Sequence, residues 1–207
     1  MKSKLFWNLF ANKYSKMPIS DLEAYEKKLD ATRKYLGPDK SVLEFGCGTG
    51  STAIVHAPYV KDLFAIDYSK KMIDIANQKK KENKIQNIEF RQGILEDLSS
   101  KEQTFDVVLG LNVLHLIKDL QGAIKKSYEL LKPGGVLITS TPCVGETPGI
   151  LKYLLGILSP FAPIPYVNVF SSAVLEKNMR DAGFQILESL APGKDKSVHF
   201  LVAKKKL

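Results

Sequence analysis

From residue 41 to residue 142 short apolar runs and helix-like segments take turns, and this alternation constrains the fold more than any other feature of the chain. The runs are SVLEF (41–45), DLFAID (62–67), NIEFRQ (87–92), FDVVLGL (105–111) and VLITST (136–141). FDVVLGL is apolar almost without interruption, as a strand covered on both faces must be. Helices are expected from Lys70 to about Asn83 and from about Leu120 to Leu131, the latter stopped by Lys132-Pro133-Gly134-Gly135. Strand–helix alternation of this kind predicts an α/β, doubly wound parallel sheet with right-handed crossovers. The end of the chain breaks the pattern. A helix from about Ser171 to Ala182 precedes FQILESL (184–190) and VHFLVAK (198–204), and the link between those two runs is too short for a crossover helix. They are expected to form an antiparallel hairpin at the sheet edge.

Before the first strand, residues 5–36 read as helical, with Leu22, Tyr25, Leu29 and Ala31 at helical spacing and Ser20 as an N-cap candidate. The 207 residues, 44% hydrophobic and 25% charged, are enough for one domain with its own core. Two cysteines exclude a disulfide scaffold and a four-cysteine zinc site, and three scattered histidines argue against a metal centre. The net charge of +8 is spread over residues 1–40, 70–84 and 194–207, while the rest carries ten bases and fourteen acids. No aromatic residues interleave the lysine runs, so a solvated basic surface is favoured over nucleic-acid binding. The start lacks a secretory pattern, and a cytoplasmic protein is the expectation.

Ligands of open α/β sheets bind outside the carboxyl ends of the strands. The first such end reads Val42-Leu43-Glu44-Phe45-Gly46-Cys47-Gly48-Thr49-Gly50. The glycines permit backbone angles closed to other residues and a close ligand approach. Glu44 would repel a pyrophosphate but suits a ligand with a cationic near end. Asp67 ends the second strand, where a carboxylate can accept hydrogen bonds from both ribose hydroxyls. S-adenosylmethionine, with its ribose, sulfonium and ammonium, meets both requirements.

The strings VLEFGCGTG, AIDYSKKMIDIA, FDVVLGLNVLHLI and LLKPGGVLITSTP together resemble the class I S-adenosylmethionine-dependent methyltransferases, nearest the small-molecule branch of the ubiquinone/menaquinone-biosynthesis type. The resemblance is close over residues 41–142 and holds in outline over 171–204. It implies a Rossmann-like seven-stranded sheet, order 3-2-1-4-5-7-6 with strand 7 antiparallel and helices on both faces. It further implies that Glu44, Gly46 and Gly48 line the methionine end of the cofactor, with Cys47 and Gly50 of the same loop among the cofactor-binding residues. Asp67 would hold the ribose, and Tyr68 and Met72 would border the adenine. Gly93, Ile94 and Leu95 follow the third strand, with Ile94 where the family often has an acid, so backbone groups, Glu96 or Asp97 would take that contact. Gly110 and Leu111 would pass beneath the methionine moiety, His115 would face the methyl-transfer side as a candidate base, and Tyr14 would belong to a leading helix closing over the cofactor.

The whole chain is expected to be one methyltransferase domain, with residues 1–36 as a helical cap and 143–170 as a lid over the acceptor. Tyr153, Leu154, Phe161 and Tyr166 are the candidate walls of a pocket for a small, hydrophobic or aromatic acceptor. Pro160, Pro163 and Pro165 interrupt this apolar stretch and make a transmembrane helix there a poor reading. Phe6, Trp7 and Phe10 of the leading helix could close the other side of the site or touch a membrane surface. Oligomeric state is left open.

Two rival readings use the same residues. Gly48-x-Gly50-x-x-Ala53 fits a dinucleotide pattern and Asp67 could serve NAD, with Tyr128-x-x-x-Lys132 imitating a dehydrogenase pair. That pair is expected at the wrong edge of the sheet, and Glu44 opposes a pyrophosphate. A non-catalytic S-adenosylmethionine-binding protein would show the same cofactor motif. Cys47, His56 and His199 are read as packing residues in all three cases. The chain has Leu111-Asn112-Val113-Leu114 where adenine amino-methyltransferases carry an Asn/Asp-Pro-Pro-Tyr/Phe string, which again disfavours nucleic acid.

Overall fold

The computed structural model describes residues 2–99, 104–143, 145, 165–193 and 198–207. Seven strands form one sheet: β1 (Ser41–Phe45), β2 (Asp62–Asp67), β3 (Ile88–Gln92), β4 (Phe105–Leu111), β5 (Leu131–Pro142), β6 (Phe184–Leu190) and β7 (Val198–Lys205). Their order is β3-β2-β1-β4-β5-β7-β6. The first five pair in parallel, and β7 runs antiparallel to both β5 and β6. The expected hairpin is thus present at the sheet edge, with β7 between β5 and β6 as the expected strand order has it.

Successive side chains of the central strands face opposite layers. On one side Leu43, Phe64, Ile66 and Val108 pack with Ala123 and Ile124 of α5 (Leu120–Leu130) and Leu175 and Met179 of α6 (Ser172–Asp181). On the other, Val42, Leu63, Ala65 and Val107 meet Ala31 of α2 (Leu22–Arg33), Ala53 of α3 (Ser51–His56) and Ile73 and Ala76 of α4 (Lys70–Glu82). Outer strands β3 and β6 carry exposed positions among their buried ones, as one-sided strands do.

Three expectations at the element level are corrected. The leading segment is two helices, α1 (Lys2–Tyr14) and α2, not one run over 5–36. Pro18 supplies no amide donor and disfavours helical angles at Met17, so the chain breaks there. The cap of α2 is Asp21, whose side chain accepts a hydrogen bond from the Ala24 amide at 2.9 Å, and not Ser20. In addition, β5 begins at Leu131, five residues before VLITST, because Lys132–Gly135 form an irregular stretch of the strand against β4.

Candidate active site

The carboxyl ends of β1, β2 and β4 open into a cavity of about 900 Å³. Glu44, on β1, is only 3% exposed, and its Oε2 has no hydrogen-bond partner among the described residues. Burial first, and the neighbouring Asp67 second, raise its carboxyl pKa to about 8. A buried, unpaired carboxyl oxygen is costly unless a ligand donor completes it.

Asp67 closes the other half of the site. Its Oδ2 accepts from the Gly48 amide at 3.0 Å and its Oδ1 from the Ser69 amide at 2.8 Å. These bonds fix the carboxylate plane while leaving acceptor capacity on both oxygens. Burial pushes the Asp67 pKa up, and the two amides pull against it.

The glycine loop turns through left-handed angles, with φ of 66° at Gly46 and 55° at Gly48. A Cβ on Gly46 would collide with Val113, whereas one on Gly48 would meet only Tyr14 Cε1, at 3.7 Å. Gly46 is therefore fixed by protein packing, and Gly48 by the space it leaves beside Tyr14. Helix α1 forms the roof. Asn8 Oδ1 accepts from the Ser69 hydroxyl at 2.8 Å and the Lys71 amide at 3.1 Å, which anchors α1 to the β2–α4 turn. Trp7 and Tyr14 both line the cavity, with ring centroids 5.9 Å apart in an edge arrangement. Burial and the nearby Asp67 and Glu44 raise the Tyr14 phenol, which stays a neutral donor.

Of the residues expected at the cofactor, Tyr14, Glu44, Gly46, Cys47, Gly48 and Asp67 all lie on the cavity wall. So do Tyr68, Met72, Gly93, Ile94, Leu95 and Leu111. Glu96 is on the wall and Asp97 is not, which separates the two substitutes considered for the adenine contact. Gly50 and Gly110 are off the wall: the space beside Gly50 is filled by Phe90 and Ala76, and that beside Gly110 by the Phe45 ring.

His115 is off the wall as well. It lies in a 3-10 turn, Leu114–Leu116, with Nδ1 buried and unpartnered among the described residues and its carbonyl accepting from the Asn168 amide at 2.7 Å. Burial lowers its pKa to about 4, so the ring is neutral at pH 7. Tyr166 reaches the wall, its amide donating to the Ser3 hydroxyl at 3.1 Å and Lys118 Nζ lying 5.6 Å from its ring centroid. Tyr153, Leu154 and Phe161 lie outside the described residues.

Sequence reasoning gives Asn112 a hydrogen bond to its loop rather than a ligand contact, and leaves out that it also shapes the cavity wall. It follows β4 at φ 55°, an uncommon angle for a side-chain-bearing residue, with its amide donating to the Ser140 carbonyl at 2.6 Å. Asparagine tolerates that conformation better than most residues, the one signal the sequence carried. The imitation dehydrogenase pair is used elsewhere. Lys132 pairs with Asp106 at 2.8 Å, and Tyr128 packs edge-on against Phe184 at 4.9 Å, away from the cavity. Cys47 is buried with its thiol pKa pushed up, which removes it as a nucleophile at neutral pH. Near His199, Ser189 Oγ and Glu176 Oε1 both approach the same Nε2, at 3.2 and 3.3 Å, which is not the two-sided geometry of a proton relay. No group of His, Cys, Asp and Glu with metal-binding spacing occurs among the described residues.

A glycine loop at the end of β1, acids at the ends of β1 and β2 and an antiparallel β7 define a class I S-adenosylmethionine-dependent methyltransferase domain. The methyltransferase-domain family matches residues 36–163, more than half of the chain, and the chain belongs to it. The uncharacterised methyltransferase YcgJ of Bacillus subtilis is 31% identical over 113 residues, 55% of this chain and 45% of that protein. A ubiquinone biosynthesis O-methyltransferase of Azorhizobium caulinodans is 27% identical over 155 residues, 71% of this chain and 59% of the relative. The chain thus spans about half the length of these relatives. The YcgJ crystal structure shares the fold with a TM-score of 0.72 at 17% identity, over 88% of this chain and 99% of that one. The N-methyltransferase NodS of Bradyrhizobium japonicum, solved with S-adenosyl-L-homocysteine, shares it with a TM-score of 0.67 at 18% identity, over 87% and 86% of the two chains.

Proposed function

We propose that the chain binds S-adenosylmethionine in this cavity and transfers its methyl group to a small, hydrophobic or aromatic acceptor. The observation that carries the reading is the unpartnered Oε2 of Glu44, buried in the same cavity as the tethered carboxylate of Asp67. One oxygen asks for a buried cationic donor and the other group for hydroxyls, the two ends of this cofactor. Glu44 would hold the ammonium and Asp67 the ribose hydroxyls, with Tyr68, Met72, Ile94 and Leu95 bordering the adenine. When bound, the sulfonium would supply an electrophilic methyl: an acceptor lone pair would bond to its carbon in line, and the carbon–sulfur electron pair would leave on sulfur as a neutral thioether.

The chain's own contribution is placement and exclusion of water. Trp7 and Tyr14 cover the cavity from above, and Val113, Leu116, Ile117 and Tyr166 give the remaining wall an apolar character suited to the acceptor. Residues 2–36 act as the cap of a single domain; the expected lid, 143–170, lies for the most part outside the described residues. Packed off the cavity wall, His115 is given no proton-transfer role in this reading.

Calorimetric titration with S-adenosylmethionine, its demethylated product and NADH tests the cofactor assignment. One-to-one binding of the first two is expected, and binding of NADH alone would overturn the reading. Methyl-labelled cofactor incubated with fractionated metabolites then identifies the acceptor. Label confined to small charged compounds would refute the hydrophobic-acceptor assignment. Cofactor binding without any label transfer would favour the non-catalytic alternative.

A further inference from the structure

Among the described residues, large apolar side chains left in solvent gather in the leading segment. Leu5 is 60% exposed, Leu9 76%, Met17 53%, Ile19 50% and Leu22 60%. Single exposed apolar residues are ordinary on a protein surface, but a sequence-local group of five is not. The helix period explains the arrangement of α1. Ala11, Trp7 and Tyr14 share the face turned to the protein, with Ala11 fully buried and Trp7 and Tyr14 lining the cavity. Leu5 and Leu9, four residues apart, lie one above the other on the opposite face. Asn8, which holds α1 against the β2–α4 turn, is not available to turn that outer face inward.

The charge around these residues has one sign. The first twenty residues contain four lysines and no acid. Lys4, Lys13 and Lys16 are exposed, as are Lys70 and Lys71 at the start of α4, against which α1 packs. Lys70 is the one of these that is paired, with Asp74 at 2.9 Å. An apolar ridge flanked by lysines is the composition of a helix lying in the interface of a negatively charged bilayer. Phe6, Trp7 and Phe10 of the same helix pack on one another with ring centroids 5.2 to 6.1 Å apart, Phe6 stacked on Phe10 and Trp7 edge-on to both, and do not form this outer ridge.

We infer that the outer face of α1, with the turn to α2, docks this protein onto an anionic lipid surface through Leu5, Leu9, Met17 and Ile19 and the lysines beside them. Ser3, Lys4 and Trp7 of the same helix line the cavity, so docking sets its wall against the membrane. Membrane docking goes beyond methyl transfer and would hold whatever the acceptor is.

The test is co-sedimentation of the full chain with vesicles of phosphatidylcholine alone and with a third of that lipid replaced by phosphatidylglycerol, at low and high salt. At least tenfold more protein should pellet with the anionic vesicles at low salt, and the excess should fall as salt rises. The double variant Leu5→Asp/Leu9→Asp, altered only at exposed positions, should lose the binding while keeping its circular dichroism and its affinity for S-adenosylhomocysteine. Lys13→Glu/Lys16→Glu should weaken binding to anionic vesicles and leave the neutral ones unchanged. Equal pelleting of wild type and the leucine variant would overturn the inference. So would absence of vesicle binding, including the case in which the ridge instead joins two copies of the chain, seen as a dimer by light scattering that the leucine variant dissolves.

Discussion

A carboxyl group held near pH 8 by burial is mostly protonated at neutral pH, so Glu44 changes its proton state when a cation arrives beside it. An ammonium ligand selects the carboxylate, so binding is expected to release a proton between the lower pKa of the complex and about pH 8. Affinity for S-adenosylmethionine is therefore expected to rise by up to about tenfold per pH unit between pH 6 and 7.5. Calorimetry in buffers of unlike protonation enthalpy measures the released proton directly, and Glu44→Gln should abolish the release. Asp67 predicts a different signature. Asp67→Ala removes the acceptor of two ribose hydroxyls and the partner of the Gly48 amide, so affinity should fall by roughly 1.5–3 kcal/mol. His115→Ala is expected to lower the melting temperature and to change turnover by less than threefold, since the ring is packed off the cavity wall. A hundredfold loss of turnover with unchanged cofactor affinity would instead make it the base.

At the scale of elements, α1 offers a built-in reporter. Trp7 is the chain's one tryptophan and lines the cavity with its Nε1 buried and, among the described residues, unpartnered. Binding of S-adenosylhomocysteine should shift or quench its emission, and an unchanged spectrum at saturating ligand would show that α1 does not roof the site. The sheet was the most legible part of the sequence, because strands buried on both faces, such as FDVVLGL, leave little room for another reading. The same holds for Glu44 and Asp67, whose place at strand ends follows from the run lengths alone. Less legible was everything set by contacts distant in sequence. Nothing local tells that Gly50 serves the Phe90 ring and Gly110 the Phe45 ring, while Gly48 serves the cavity. Asn112 likewise takes its angle from Ser140, on another strand. Splitting of the leading segment was written at Pro18, and a period count over 5–36 passed across it.

For the molecule as a whole, buried groups pull stability in opposite directions with pH. His56 is fully buried with both ring nitrogens unpartnered among the described residues, and burial lowers its pKa to about 4. The unfolded chain takes up that proton first, so stability is lost as pH falls from about 6.5 toward 4, by about 3 kcal/mol for this residue. Glu44, with its folded pKa raised to about 8, gives stability at low pH that is lost as pH rises from about 4.5 through 8. His115, its pKa also lowered to about 4 by burial, loses stability over the same range as His56, so the two histidines outweigh Glu44 below pH 6.5 and Glu44 alone acts above it. Thermal denaturation of the free protein should therefore show its highest midpoint near pH 6.5, and Glu44→Gln should flatten the decline on the alkaline side. The position of β7 bears on how the chain is made. β7 pairs with β5 on one side and β6 on the other, and it puts Phe200 and Val202 into the core, yet of the seven strands of this sheet it comes last in the chain. A growing polypeptide that has already produced the parallel strands must wait, with the outer edge of β5 bare, until residue 205 leaves the ribosome. Such an edge can recruit any extended segment it meets. A chain stopped before Val198 is accordingly expected to pellet as aggregate, and one in mid-synthesis to depend on whatever shields that edge until its own final strand arrives.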